Sequence, residues 1–180
     1  MKYIKKINSK GFMLAETLIV SIFVLSIFSM LYINLLPLIA DYETEQKYNT
    51  VEATYNAHWA RKIILDGLGE ENFSTVVNNG YLDVSDCLLY NRNNMEDWCG
   101  NYKTVNEINK IYLTTYNLEK FKNAVENSTA YRREFKEYID YLPTYSKNSA
   151  KVNNSNYFHV IIEYSKGSEY NYGIMEVHIR

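Results

Sequence analysis

Residues 10–40 read KGFMLAETLIVSIFVLSIFSMLYINLLPLIA, and this stretch decides how the rest of the 180-residue chain is organised. From Thr17 to Ala40 it holds 24 residues without a charge. As a helix rising about 1.5 Å per residue, such a run crosses a hydrocarbon layer about 30 Å thick. Lys2, Lys5, Lys6 and Lys10 precede it, and Asp41, Glu43 and Glu45 follow it. An excess of Lys on one flank places that flank in the cytoplasm and the bulk of the chain outside. A cleaved secretory signal is the competing reading. Its apolar region is usually about 7–15 residues and ends in small residues, whereas this run is longer and Leu38-Ile39-Ala40-Asp41 makes a poor cut site.

Glu16 does not fit a plain anchor. It lies five positions after Gly11, at the entrance to the apolar run. A carboxylate in hydrocarbon costs on the order of 2.5–3.5 kcal/mol unless it finds a partner, so an intramembrane acid marks function by default. At the headgroup level the same residue is wet and unremarked.

A Lys-rich leader, Lys10-Gly11-Phe12, an acid at the fifth residue past the Gly and an unbroken apolar helix together resemble the prepilin signal of type IV pilins and type II secretion pseudopilins. The resemblance covers about residues 1–45. It implies a leader (1–11) that a membrane prepilin peptidase cuts after Gly11, with methylation of Phe12 by the same enzyme. A membrane and assembly helix (12–40) and an extracytoplasmic domain (41–180) follow. Glu16 is then the acid that pairs with a neighbouring subunit's new N-terminal ammonium. The resemblance further implies a single-pass protein of the cytoplasmic membrane that later joins a surface or periplasmic filament. Its implied partners are other pilin subunits, an inner-membrane platform protein and, indirectly, an assembly ATPase.

The helical pattern continues past the membrane. Tyr48, Val51, Tyr55, Trp59 and Ile63 recur at spacings of three and four, the stripe of an amphipathic helix. Gly67 and Gly69 are natural stops. The sequence therefore predicts one helix from Met13 to Asp66, loosened at Pro37, with the aromatic stripe facing a sheet. Residues 70–103 read as a long connection with a short strand near Tyr81–Tyr90, and Ile111–Tyr116 is either a strand or a helix start. A further helix is expected over 118–142, with Phe121, Val125, Tyr131, Phe135, Ile139 and Leu142 at helical spacing. Residues 144–156 read as a loop.

The C-terminus alternates as a hairpin, with Phe158, Val160, Ile162 and Tyr164 answering Met175, Val177 and Ile179. A turn between Ser168 and Glu169 pairs Val160 with Val177 and Ile162 with Met175. The expected class is α+β: a long N-terminal helix on a small C-terminal antiparallel sheet, with the additional helix near 118–142.

Charge and chemistry narrow the function. The first eleven residues carry four of the 19 basic side chains and no acid, which leaves 15 basic against 21 acidic residues, a balance of −6. A net-acidic surface is repelled by phosphates, so direct nucleic-acid binding is not expected. Lys120, Lys122, Arg132, Arg133 and Lys136 alternate with Glu119, Glu126, Glu134, Glu137 and Asp140, a solvated helix face with i,i+4 pairs. Cys87 and Cys99 read first as a structural disulfide and second as two free or transient thiols; a zinc site lacks ligands. His159 and His178 fall opposite each other on the outer face of the hairpin, as a surface pair rather than a metal or pH-sensing pair. His58 reads as a packing or surface residue beside Trp59. No catalytic constellation or phosphate loop stands out, so neither enzymatic activity nor a cofactor is expected. Eighteen tyrosines, among them Tyr131, Tyr138, Tyr141, Tyr145, Tyr157, Tyr164, Tyr170 and Tyr172, suit subunit contacts or adhesion as well as a core. The readings weighed are a minor pilin or pseudopilin, a signal-anchored surface protein with a ligand-binding ectodomain, and an anchored enzyme.

Overall fold

The computed structural model describes residues 9–143, 150–152 and 154–179. The leader residues Met1–Asn8, most of the loop expected at 144–156, and Tyr145 within it lie outside the described residues. The chain divides into two compact units, 1–46 and 47–180.

The first unit is helical. Helix α1 (Ser9–Tyr48) runs through Pro37 and ends with the first two residues of the second unit. Its segment Met13–Ala40, of mean hydropathy 2.3, is wholly unburied.

The second unit contains helices α2 (Val51–Gly67), α3 (Glu70–Asn79), α4 (Glu96–Val105), α5 (Glu119–Glu126) and α6 (Arg133–Tyr141). Its strands are β1 (Tyr81–Asp83), β2 (Ile108–Thr115), β3 (Tyr157–Lys166) and β4 (Glu169–His178). They form one antiparallel sheet in the order β1-β2-β3-β4. The expected α+β class therefore holds.

The helix expected from Met13 to Asp66 is interrupted at Asn49 and Thr50. Thr50 stays extended (φ −69°, ψ 152°) and its Oγ1 accepts a hydrogen bond from the Ala53 amide at 3.0 Å, which starts α2 afresh. Short hydroxyl and amide side chains compete with helical hydrogen bonds in this way. The helix expected at 118–142 divides for the same reason. Asn127 donates to the Asn123 carbonyl and Ser128 Oγ accepts from the Ala130 amide, so α5 stops at Glu126 and α6 begins only at Arg133. The connection expected over 70–103 instead holds α3, the three-residue strand β1, two 3₁₀ turns (Cys87–Leu89 and Arg92–Asn94) and α4. The undecided segment 111–116 lies mostly in β2, a central strand of the sheet.

Helix α2 keeps only part of the expected stripe against the sheet: Ile63 is in the core and Trp59 packs on it partly buried, but the packed face is centred on small residues. Ala53, Asn56, Ala57, Ala60, Ile63, Ile64 and Gly67 are buried, while Val51 is 88% and Tyr55 56% exposed. Small residues let the helix backbone lie close against the sheet, and a methyl group at Gly173 on β4 would sit 2.6 Å from the Ala53 carbonyl oxygen.

The hairpin register differs from expectation by two residues. Val160 pairs with Met175 and Ile162 with Gly173 across a two-residue Gly167-Ser168 loop. Gly167 takes the left-handed conformation (φ +64°) that such a loop requires at its first position. Because side chains alternate with period two, this shift keeps the same residues facing α2.

Both faces of the sheet are covered. Phe158, Val160, Ile162 and Tyr164 join Ile111, Leu113 and Val177 beneath α2, α3 and α4. Tyr112, Ile161 and Tyr172 meet Tyr48, Phe121, Phe135, Tyr138 and Ile139 on the opposite side. That second core is aromatic: Tyr138 stacks on Tyr172 at 5.0 Å, and Tyr48 lies 5.0 Å from Tyr138. Aromatic pairs at such separations add about 0.5–1.5 kcal/mol each beyond burial.

Candidate functional site

Two regions carry features that folding alone does not require. The first is the apolar part of α1. Its polar side chains mostly turn back on their own helix: Thr17 donates to the Leu14 carbonyl, Ser21 to Thr17, Ser26 to Ile22 and Asn34 to Met30, at 2.8–3.0 Å. These bonds mask polar atoms on a surface suited to lipid. Glu16 is different, because it is exposed on the helix and is the one charge between Met13 and Ala40. Gly11 and Phe12 lie in the first turn of α1. The helix is long and apolar enough to cross a membrane, and it suits an anchor or a signal sequence equally.

The second region is the outer side of α2 and α4. Cys87, in the first 3₁₀ turn, and Cys99, in α4, are joined as a disulfide, with Cα atoms 5.5 Å apart. Cys99 is fully buried, so the bond fastens α4 to the core. Tyr102 completes the attachment by donating its hydroxyl to the Asn56 carbonyl of α2. Trp98, beside Cys99, is thereby held next to Trp59 of α2, the rings 21° from parallel with centroids 6.2 Å apart. Tyr55 meets Trp59 edge-on at 6.1 Å. An open groove of about 550 Å³ runs between these rings and Asn101, Val105 and Asn106. The sequence marked Tyr55 and Trp59 as core, which holds in part for Trp59 and not for Tyr55, and it did not single out Trp98. The exposure of Tyr55 depends on which face of α2 the sheet accepts, and the 12-residue separation of the two cysteines was the signal that α4 is pinned.

The histidine pair expected on the hairpin does not form. His159 pairs with Glu176 and His178 with Tyr157. His159 is 3% exposed and stacked on Tyr116 at 4.5 Å, because the sheet face expected to be wet is covered. Burial pushes its pKa down to about 4, with Glu176 opposing the shift and Lys151 reinforcing it. Glu163 is likewise largely buried, and desolvation raises its carboxyl above the usual range against the pull of Arg132 and Lys110. His58 is exposed. No group of three or more metal-ligating side chains occurs among the described residues.

The basic residues of α5 and α6 are engaged within the protein. Lys122 donates to the carbonyls of Leu142 (2.7 Å) and Asp140, and Lys136 donates to Glu126 (3.0 Å), so each helix closes the other's C-terminus. Lys120 donates to the Asn78 carbonyl, and the Arg132 guanidinium lies 3.5 Å above the Tyr170 ring. Arg133 and Glu137 form an exposed i,i+4 pair at 2.8 Å, of the kind the charge pattern suggested.

Together these features define a chain with one membrane-length apolar helix followed by a disulfide-bonded α+β unit. No protein-family model matches it, and neither a curated protein nor a solved structure is significantly similar to it.

Proposed function

We propose that the chain is a minor pilin or pseudopilin, a non-enzymatic subunit of a type IV pilus-like filament. The observation that carries this reading is Glu16, a single exposed carboxylate on a 28-residue apolar helix, five residues past Gly11. In hydrocarbon that charge needs a partner, and hydrolysis of the Gly11–Phe12 bond creates an ammonium little more than one helical turn away. Within one subunit the two are neighbours in sequence. Between stacked subunits they satisfy each other and fix the axial register, since either group left alone in low dielectric is costly. The lysine-rich leader keeps the cut site in the cytoplasm, and the acidic remainder is placed outside, where a disulfide persists. A prepilin peptidase, a platform protein, an assembly ATPase and other pilins are the partners this function requires.

A signal-anchored surface protein with a ligand-binding ectodomain is the second reading, and the exposed Trp59–Trp98 groove favours it. N-terminal sequencing of protein taken from native membranes or filaments separates the two. Processing predicts methylated Phe12 as the first residue, whereas an intact leader would sink the pilin reading. Glu16→Ala is expected to insert normally and to lose about tenfold or more of its incorporation into sheared filaments. Undiminished incorporation would remove the pairing role.

A further inference from the structure

We infer that two copies of the chain pair side by side within the membrane through Asn34, before any cleavage at Gly11. The inference rests on α1 spanning the bilayer, which the proposed function also requires. Asn34 is the one amide side chain between Met13 and Ala40. It lies about 8 Å from the midpoint of the uncharged run, inside a hydrocarbon half-thickness of about 15 Å. A primary amide carries two N–H donors and an oxygen that accepts twice. One donor is used on the Met30 carbonyl at 2.8 Å, and the other donor and the oxygen meet no partner among the described residues. Lipid offers none either, and polar groups left so in hydrocarbon are costly.

A backbone group one position away is also short of a bond. Pro37 lies inside α1 and has no N–H, so the Ile33 carbonyl loses the helical bond that residue 37 would otherwise donate. Ile33 and Asn34 line one shallow groove along α1 together with Ser26 and Met30. Ile22, Ser26, Met30 and Asn34 follow one another every four residues, a ridge of the kind that packs against another helix. Ser26 is small and its hydroxyl is turned onto the Ile22 carbonyl, so a second backbone can come close there.

Depth decides the partner. Donor and acceptor belong to the same group, so Asn34 is complementary to a second Asn34. The lysine flank gives every copy the same orientation, and parallel copies therefore hold their amides at one level of the bilayer. A copy inserted the opposite way would hold its amide about 16 Å off along the membrane normal. In the parallel pair each Nδ2 donates to the other copy's Oδ1 or Ile33 carbonyl, and hydrogen bonds of this kind hold membrane helices together.

Purified full-length chain with its leader intact would be reconstituted in phosphatidylcholine vesicles. No peptidase is present there, so the Phe12 ammonium that Glu16 needs is never formed. Energy transfer between donor- and acceptor-labelled copies should saturate as the protein-to-lipid ratio rises. Asn34→Leu should raise the dissociation constant about fivefold or more, and Asn34→Gln, which keeps the amide, should raise it less. Asn34→Leu makes α1 more apolar and stays inserted, which retention after an alkaline carbonate wash checks. The two native cysteines are bonded to each other, so a cysteine introduced into α1 is the sole free thiol. Under copper–phenanthroline oxidation Met30→Cys should cross-link, and Phe28→Cys, on the other side of the helix, should not. Three outcomes overturn the pair: energy transfer no greater than random mixing, equal association in Asn34→Leu, or equal cross-linking at both positions. Failure of pairing alone leaves the pilin reading standing, whereas release of the chain by carbonate would overturn the membrane span and both readings with it.

Discussion

His159 is held on β3 against the Tyr116 ring, and burial pushes its pKa down to about 4. In the unfolded chain it titrates near 6.5. As pH falls below that value the unfolded state takes up the proton first, so stability is lost between about pH 6.5 and pH 4 and levels off below. Above pH 6.5 both states are neutral and the residue contributes no pH dependence. Glu163 acts in the opposite sense, because its raised pKa favours the fold at low pH and is a cost once pH rises through it. A His159→Phe variant keeps the stacked ring and removes the titration. Urea unfolding across this range should show the wild type losing on the order of 3 kcal/mol more than the variant between pH 6.5 and pH 4. Parallel curves would mean that His159 is not kept neutral. At this scale the sequence was informative wherever one residue broke a pattern, as Glu16 does within its apolar run. It was uninformative for His159, whose state depends on which sheet face is covered.

Helix α2 and strand β4 approach so closely that glycine at 173 is part of the packing. An added Cβ would lie 2.6 Å from the Ala53 oxygen, 3.1 Å from its carbonyl carbon and 3.3 Å from Ile162 Cγ1. Backbone atoms of a packed helix cannot turn aside as a flexible side chain can, so the whole helix must shift. Gly173→Ala is expected to destabilise by about 1–3 kcal/mol in denaturant unfolding, the usual range for overpacking. Unchanged stability would mean that α2 is seated less closely. The same closeness explains why the expected stripe holds only in part, with Tyr48 and Ile63 buried and Trp59 partly so, but Val51 and Tyr55 exposed. Periodicity in large apolar residues marks a helix, but the sheet selects the face with the smallest side chains, Ala53, Ala57 and Ala60. The hairpin shows the reverse. Its alternation placed Val160, Ile162 and Val177 correctly in the core even with the turn set one position late, because an even shift preserves facing.

The whole chain separates into a helix that buries nothing of its apolar length and a unit, Lys47–Arg180, that contains both cores and the disulfide. Residues 47–180 expressed alone in an oxidising compartment are therefore expected to fold as a soluble domain with one cooperative transition. Reduction of Cys87–Cys99 should lower its stability by roughly 3 kcal/mol, from the entropy of the short loop it closes. A fragment that is unfolded by circular dichroism would show that α1 is needed for folding. The sequence by itself determined the membrane-length helix, the lone acid within it, the α+β class and the hairpin's inward faces. Those features follow from local composition and period, which each segment carries alone. Only the tertiary structure decided that both sheet faces are covered, that α2 turns its alanines inward, and that Trp59 and Trp98 meet. Each of these depends on which surfaces far apart in the chain fit together, and fit is set by the shape of the assembled core.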